Sequence, residues 1–117
     1  MVFEFYIGGY PGPFFKLELT DTILKCNETN GYSIEASEEL IDVSKNSEWQ
    51  QLLEWLSTRK WEGKYFNEAL DGTQWELKVS GANIHIDAHG SNEFPPGFWK
   101  FLRLLNKVLS EVGMVVH

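Results

Sequence analysis

The residues best suited to chemistry in this chain are two histidines and two carboxylates near position 80. His85, Asp87 and His89 occupy every second position of one stretch, and Glu76 lies in the stretch before it. Alternate residues of a β-strand project from the same face of a sheet, so these side chains would share one surface. Imidazole nitrogens and carboxylate oxygens are ligands for zinc and other divalent metals. The pattern admits a divalent metal site, and its simpler interpretation is a solvated sheet face whose charges are screened by water.

A β-hairpin is the element that has to position these residues. Leu77 and Val79 alternate with polar residues before the Gly-Ala pair at 81–82, and Ile84 and Ile86 alternate with polar residues after it. Opposed residues of an antiparallel pair share a face, so the two apolar sets should meet. Pairing Val79 with Ile84 and Leu77 with Ile86 achieves this. The glycine then occupies the first central position of a type II′ turn.

The predicted hairpin register also sets the pairs on the polar face. Lys78 falls opposite His85, and Glu76 falls opposite Asp87. Opposed carboxylates repel each other by about 0.2–1 kcal/mol unless a cation lies between them. This pair is the reason for the metal hypothesis, in which Glu76, His85, Asp87 and His89 are the ligands.

The N-terminal part of the chain predicts further antiparallel strands. Alternating apolar residues predict a strand over 3–7 and, after a loop rich in Gly and Pro, a second strand over 14–19. A Thr-Asp turn at 20–21 would pair Leu17 with Leu24 in a third strand.

The Asn-Gly sequence near position 30 predicts the next turn. A three-residue loop over 29–31, with its glycine left-handed in a bulge, would pair Cys26 with Ile34 and Leu24 with Ala36. We prefer this loop to a two-residue turn because it keeps the apolar residues on the core face, and each large buried side chain is worth about 1.5–3 kcal/mol.

Two amphipathic helices are predicted in the rest of the chain. Ser47 and Gln50 resemble a capping box, and the helix they begin should end near Lys60. The second helix should begin at the Pro-Pro pair at 95–96 and end at Gly113. Its apolar stripe consists of Phe98, Phe101, Leu102, Leu105, Val108, Leu109 and Val112.

These elements predict one α+β domain over residues 1–117. The expected architecture is an antiparallel sheet of about six strands, in the order ββββ-α-ββ-α, with both helices packed on the apolar face of the sheet. The opposite face reads as polar along almost every strand.

The net charge indicates the class of partner, and the apolar runs and the cysteine content indicate the compartment. Seventeen acidic and ten basic residues give a formal net charge of −7, which disfavours a nucleic-acid partner and favours a basic protein. No apolar run approaches the roughly 20 residues of a membrane helix, and no basic segment precedes the first strand as in a signal peptide. A cytoplasmic protein without membrane association is therefore expected. The single cysteine, Cys26, allows no internal disulfide and is expected to be a small buried side chain.

The short motifs of common enzyme classes do not occur in the sequence. It contains no phosphate-binding GxxxxGK[ST], dinucleotide-binding GxGxxG, CxxC, HExxH or GxSxG segment. The sequence favours a protein-binding module over an enzyme. The alternative is a metal- or small-molecule-binding protein that uses the outer face of the hairpin over 74–89, and its divalent metal is the only cofactor that the sequence suggests.

The C-terminal part of the chain, from position 71, resembles a group of small uncharacterised bacterial proteins. In that group a DGTQW strand start precedes a G-x-N-x-x-P loop and a C-terminal helix. Gly90, Asn92 and Pro95 occupy the loop positions here, and Phe94 stands where an aromatic residue is usual. The resemblance implies a bacterial single-domain protein. Some small acidic proteins of this kind resemble the immunity partners of toxins, which implies an immunity-like or regulatory binding role.

Counting the reversals of chain direction predicts where a partner would bind. The loop after the first strand, the connection over 61–72 and the loop after the hairpin should all lie at one end of the sheet. The aromatic and amide residues that they carry are Tyr10, Trp61, Tyr65, Phe66, Asn92 and Phe94, surrounded by Glu62, Glu68, Asp71 and Glu93. Aromatic anchors with an acidic rim suit a basic protein partner. The alternative is that these aromatic residues only close the open end of the core.

Overall fold

The protein is described by a computed structural model, which defines residues 1–9, 12–30, 36–67, 72–81 and 83–117. All of its strands belong to one sheet, in the spatial order β4-β3-β2-β1-β6-β7-β5. The elements, in chain order, are β1 (Val2–Gly8), β2 (Phe14–Thr20), β3 (Ile23–Thr29), β4 (Ala36–Asp42), α1 (Ser47–Leu56), β5 (Glu62–Phe66), β6 (Gln74–Gly81), β7 (Ile84–Ser91) and α2 (Phe98–Leu109), followed by a 3₁₀ turn (Ser110–Val112).

The sheet has seven strands and is mixed, whereas about six antiparallel strands were predicted. The additional strand is β5, which lies at one edge and pairs in parallel with β7 alone. The sequence predicted a long connection over 61–72 instead, because Glu62, Gly63 and Lys64 give no apolar alternation, and the structure shows all three exposed. An edge strand with a single neighbour can form without that signal.

Both helices pack on the same face of the sheet, as predicted. The apolar residues of β1 show this, because Phe3 lies against Trp49 of α1 with ring centroids 4.9 Å apart. Phe5 lies against Phe101 of α2 in an edge-to-face contact at 5.0 Å. Neither of the two described α-helices lies on the opposite face, and Tyr6 of β1 is exposed there.

The register of the first hairpins differs from the prediction. Leu17 faces Cys26 rather than Leu24, which is a shift of two residues that leaves the same side chains on the core face. Asp21 adopts a left-handed conformation in the resulting turn, with φ of 54°. Leu24 faces Ile41 rather than Ala36, so β4 is formed by a later segment than predicted. The predicted partner of Cys26, at position 34, and the glycine of the predicted bulge lie outside the described residues.

The helices begin slightly away from their predicted starts. Asn46, not Ser47, caps α1, because its side-chain Oδ1 accepts a hydrogen bond of 2.8 Å from the Trp49 amide. Gly97 precedes α2 with φ of 87°, and Gly113 ends the following 3₁₀ turn with φ of 74°. The predicted stripe of α2 is buried as far as Leu109. Neither described helix is long and apolar enough to cross a membrane.

Candidate functional site

The polar face of the β6–β7 hairpin carries the four residues of the metal hypothesis in a register that was not predicted. Glu76 faces His89, and Lys78 faces Asp87. The predicted opposition of Glu76 and Asp87 is therefore wrong by two residues. The observed register keeps the apolar residues on the core face and replaces a repulsive pair with complementary ones, which explains why it is favoured.

Lys78 neutralises the carboxylates that were expected to repel each other. Its Nζ atom lies 3.3 Å from Oε1 of Glu76. The hydrogen bond from Lys78 to Glu76, the charge of Glu76 and then that of Asp87 raise the pKa of Lys78 above its usual value. Lys78 therefore supplies the positive charge that the metal hypothesis assigned to a cation between Glu76 and Asp87.

The four candidate ligands do not converge on one point. His85 and His89 are four positions apart on β7, which separates them by about 13 Å and puts them at opposite ends of the polar face. His85 faces Ser80 and is remote from Glu76. Among the described residues, no group of three or more His, Cys, Asp or Glu side chains is placed to share a metal ion. The arrangement brings together one pair of candidate ligands, Glu76 and His89.

That pair borders a shallow depression of about 390 Å³ in the uncovered sheet face. Tyr6 and Gln74 complete its polar rim, and Trp75 and Gly90 also line it. Tyr6 faces Glu76 across β1 and β6. A phenol, an amide, a carboxylate and an imidazole can together hydrogen-bond a small polar molecule.

The loops predicted to meet at one end of the sheet do meet there in the described residues. The Asn92 amide donates a hydrogen bond of 2.8 Å to the Thr73 carbonyl, and the Asn67 amide donates one of 2.9 Å to the Ser91 carbonyl. A side chain at Gly9 would lie 2.7 Å from the Gly72 carbonyl oxygen, so the end of β1 reaches the same place.

Asn92 shapes this end of the sheet through its backbone. It adopts the left-handed conformation, with φ of 59°, which asparagine tolerates better than most residues. Its side chain occupies the space that a Cβ atom at Gly72 would need. A glycine is therefore required at position 72.

Trp61 is the predicted partner-binding residue that the structure removes from the surface. Only 5% of it is exposed. Its ring packs edge-to-face on Phe101 at 5.9 Å and on Trp55 at 5.7 Å. The indole Nε1–H donates to the Pro96 carbonyl at 3.2 Å, so Trp61 braces the loop before α2 from inside the core.

Trp75 braces the same loop from the sheet side. Its indole Nε1–H donates to the Glu93 carbonyl at 2.8 Å. The Trp75 ring contacts Tyr65 at 5.8 Å and Phe94 at 6.4 Å, and both of these neighbours are half-buried. Tyr65 and Phe94 are thus held by a buried ring while part of each faces solvent.

Phe66 is the most accessible of the predicted aromatic residues, with 55% of its surface exposed. It lies at the end of β5 on the uncovered sheet face, and the Lys64 ammonium lies 4.9 Å from the centre of its ring. We call Tyr65, Phe66 and Phe94 the aromatic edge. Tyr10, which was predicted to join them, lies outside the described residues.

The electrostatic surroundings of the aromatic edge are acidic on two sides. Glu62 is exposed at the start of β5, and Glu93 is exposed in the loop before α2. The other two predicted rim residues, Glu68 and Asp71, lie outside the described part of the chain. Trp99 was not among the predicted partner-binding residues, because it lies off the apolar stripe of α2, on the side of the helix that faces solvent. Its ring contacts Phe94 at 5.1 Å, and 65% of it is exposed.

Compared with models of known protein families and with curated proteins, the chain matches none of either. Its function is therefore inferred from its own residues.

Proposed function

We propose that this protein is a non-catalytic binding module that recognises a basic surface of another protein through the aromatic edge. The observation that carries the proposal is the exposure of Phe66 at the end of β5, next in the chain to Tyr65, which together with Phe94 packs on the buried ring of Trp75. Partly exposed aromatic side chains are enriched in protein interfaces, because each of them buries a large apolar area when a partner binds.

Apart from Lys64, which lies over the Phe66 ring, the charges around the aromatic edge support a partner of basic character. Glu62 and Glu93 are exposed near it, and the chain as a whole has a formal net charge of −7. Complementary charge raises the rate of encounter and excludes like-charged competitors. An immunity-like or regulatory role in a bacterial cytoplasm, as the sequence resemblance implies, is compatible with such a partner.

Affinity capture with a matched pair of variants tests the proposal. Phe66→Ser removes the exposed aromatic residue at one edge of the sheet, and Leu40→Ser removes an equally exposed apolar residue, 59% accessible, at the opposite edge. Neither side chain is part of the core, so both variants should fold. We expect the wild type and Leu40→Ser to capture the same basic protein from a native lysate. The amount that Phe66→Ser captures should be at least fivefold lower.

Purified partner then tests the electrostatic part of the proposal. The affinity for wild type should fall as salt is raised, and Glu62→Lys combined with Glu93→Lys should weaken binding further. Equal capture by Phe66→Ser and wild type, or loss of the partner with Leu40→Ser, would place the interface elsewhere.

A further inference from the structure

A groove of about 650 Å³ runs along the exposed side of α2, between the helix and the C-terminal segment after Gly113. Buried Leu102 and Val116 contribute to its floor, and exposed Trp99 lies on its wall. The groove is on the helical side of the molecule, whereas Phe66 of the aromatic edge faces the uncovered side of the sheet. Its lining is mostly apolar.

One wall of the groove is held in place by a two-point hydrogen bond. The Asn106 side chain donates from Nδ2 to the Val116 carbonyl at 2.9 Å, and its Oδ1 accepts from the Val116 amide at 2.8 Å. Burial of Met114 and Val116 fixes the same segment against the core. A groove whose walls are already ordered loses little entropy when it is filled.

The rim of the groove is basic, in contrast to the protein as a whole. Arg103 and Lys107 line it, and α2 contains no acidic residue. Within the described part of the chain, neither cation has a carboxylate within 4.0 Å. Lys100 points elsewhere, with its ammonium 5.7 Å from the centre of the Trp55 ring. Among the residues that the structure describes, Glu48 of α1 is the one acidic side chain that borders the groove.

We propose that this groove binds a short acidic segment of a partner protein, which inserts an apolar side chain beside Trp99 and pairs its carboxylates with Arg103 and Lys107. An apolar floor with cations on its rim matches a peptide that carries both features. This inference goes beyond the proposed function, because it assigns a second surface that takes a ligand of the opposite charge.

Two other occupants fit the groove less well. A second copy related by a twofold axis would bring the basic strips of two α2 helices together, which is repulsive. An anionic membrane would repel a protein of net charge −7. Although Trp99 projects outward, Leu102 and Val116 in the groove floor are buried and could not enter the membrane.

Selection from a random library of twelve-residue peptides displayed on phage tests the proposal. The immobilised full chain is the bait, and the Arg103→Glu/Lys107→Glu variant is used to remove peptides that bind elsewhere. We expect the surviving peptides to carry net negative charge and at least one large apolar residue. Their affinity, measured with synthetic peptide, should fall at least tenfold for Arg103→Glu/Lys107→Glu and at least fivefold for Trp99→Ser.

The matched control is Lys16→Glu/Lys45→Glu, which changes the net charge equally at exposed positions away from α2. It should alter peptide affinity less than twofold. Phe66→Ser should also alter peptide affinity less than twofold. If Phe66→Ser still captures the basic partner, that result contradicts the proposed function and leaves the groove proposal untouched. A selection that yields no acidic enrichment, or an equal loss in the control, overturns the groove proposal. The groove proposal is also overturned, in favour of a membrane, by a second result. In that result the wild type binds phosphatidylserine vesicles, Arg103→Glu/Lys107→Glu does not bind them, and the selected peptide does not compete with them.

Discussion

At the scale of single residues, Cys26 shows how thoroughly the sheet is covered on its helical side. It is fully buried on β3, and its thiol lies 3.8 Å from the Leu24 carbonyl. Burial, followed by the nearby charge of Glu39, raises the pKa of Cys26 from 9.0 to about 12. The thiolate is the reactive form of cysteine, so this residue should be chemically inert in the folded protein.

Thiol titration checks this expectation for Cys26. The native protein should not react with an aromatic disulfide reagent at pH 8, whereas the same protein in denaturant should release one equivalent at once. Because the folded pKa is raised, the unfolded chain loses its proton first as pH climbs past 9. The free energy of unfolding of the wild type should therefore fall more steeply than that of Cys26→Ala above pH 9. Rapid native labelling, or parallel pH profiles, would contradict the assigned burial.

Gly90 is a second residue whose identity is dictated by its neighbours. It faces Trp75 across the β6–β7 pair. A Cβ atom there would collide with Nε1 of Trp75 and lie 2.7 Å from the carbonyl oxygens of both Glu93 and Tyr65. The two carbonyl oxygens belong to the backbone, so they cannot move aside cheaply.

Gly90→Ala should destabilise the protein and disturb the indole of Trp75. We expect a loss of about 1–3 kcal/mol in denaturant unfolding, which is typical of overpacking, and a shifted Trp75 indole N–H resonance. Gly63→Ala is the control, because nothing lies within 4 Å of its added methyl group and its cost of about 1 kcal/mol comes from its positive φ alone. An unshifted indole resonance in Gly90→Ala would show that the contact is misassigned.

At the scale of elements, the sequence predicted which faces are buried far better than which residues pair. The faces of β1, β6 and β7 and the stripe of α2 follow from large apolar residues at the right period, and burial decides their orientation. A shift of two residues changes no face, so the register depends on weaker terms. The complementary pairing of Lys78 with Asp87 is such a term, and the turn pattern at 81–82 alone was misleading.

The sequence predicted the candidate site only where reversals of chain direction determine at which end of the sheet a residue lies. Counting reversals brought the residues near Tyr65 and Asn92 to one end of the sheet, because each strand has to return antiparallel to the last. The same count could not tell that Trp61 turns into the core. It also gave no reason to single out Trp99, since an exposed aromatic residue on a helix back leaves no periodic signal.

At the scale of the whole molecule, the two proposed surfaces differ in both sign and construction. The aromatic edge carries the exposed Phe66 and has the acidic residues Glu62 and Glu93 near it, while the α2 groove is concave and rimmed by Arg103 and Lys107. Because they lie on different elements, one protein could hold a basic and an acidic partner at the same time. Such an arrangement would bring two proteins of opposite charge together, with a local concentration set by the scaffold between them.

The position of β5 has a consequence for the order in which the sheet assembles. This strand precedes the β6–β7 hairpin in the chain but pairs only with its second strand, so it has no template until that hairpin is complete. We expect β5 to dock last and to open most readily. In native-state hydrogen exchange, its protected amides should exchange through local opening well before those of β1 and β6. Equal protection in all three strands would contradict this order. Because Tyr65 and Phe66 belong to this loosely held strand, a bound partner should stabilise β5 against opening. Slower amide exchange in β5 would then show that the partner has bound.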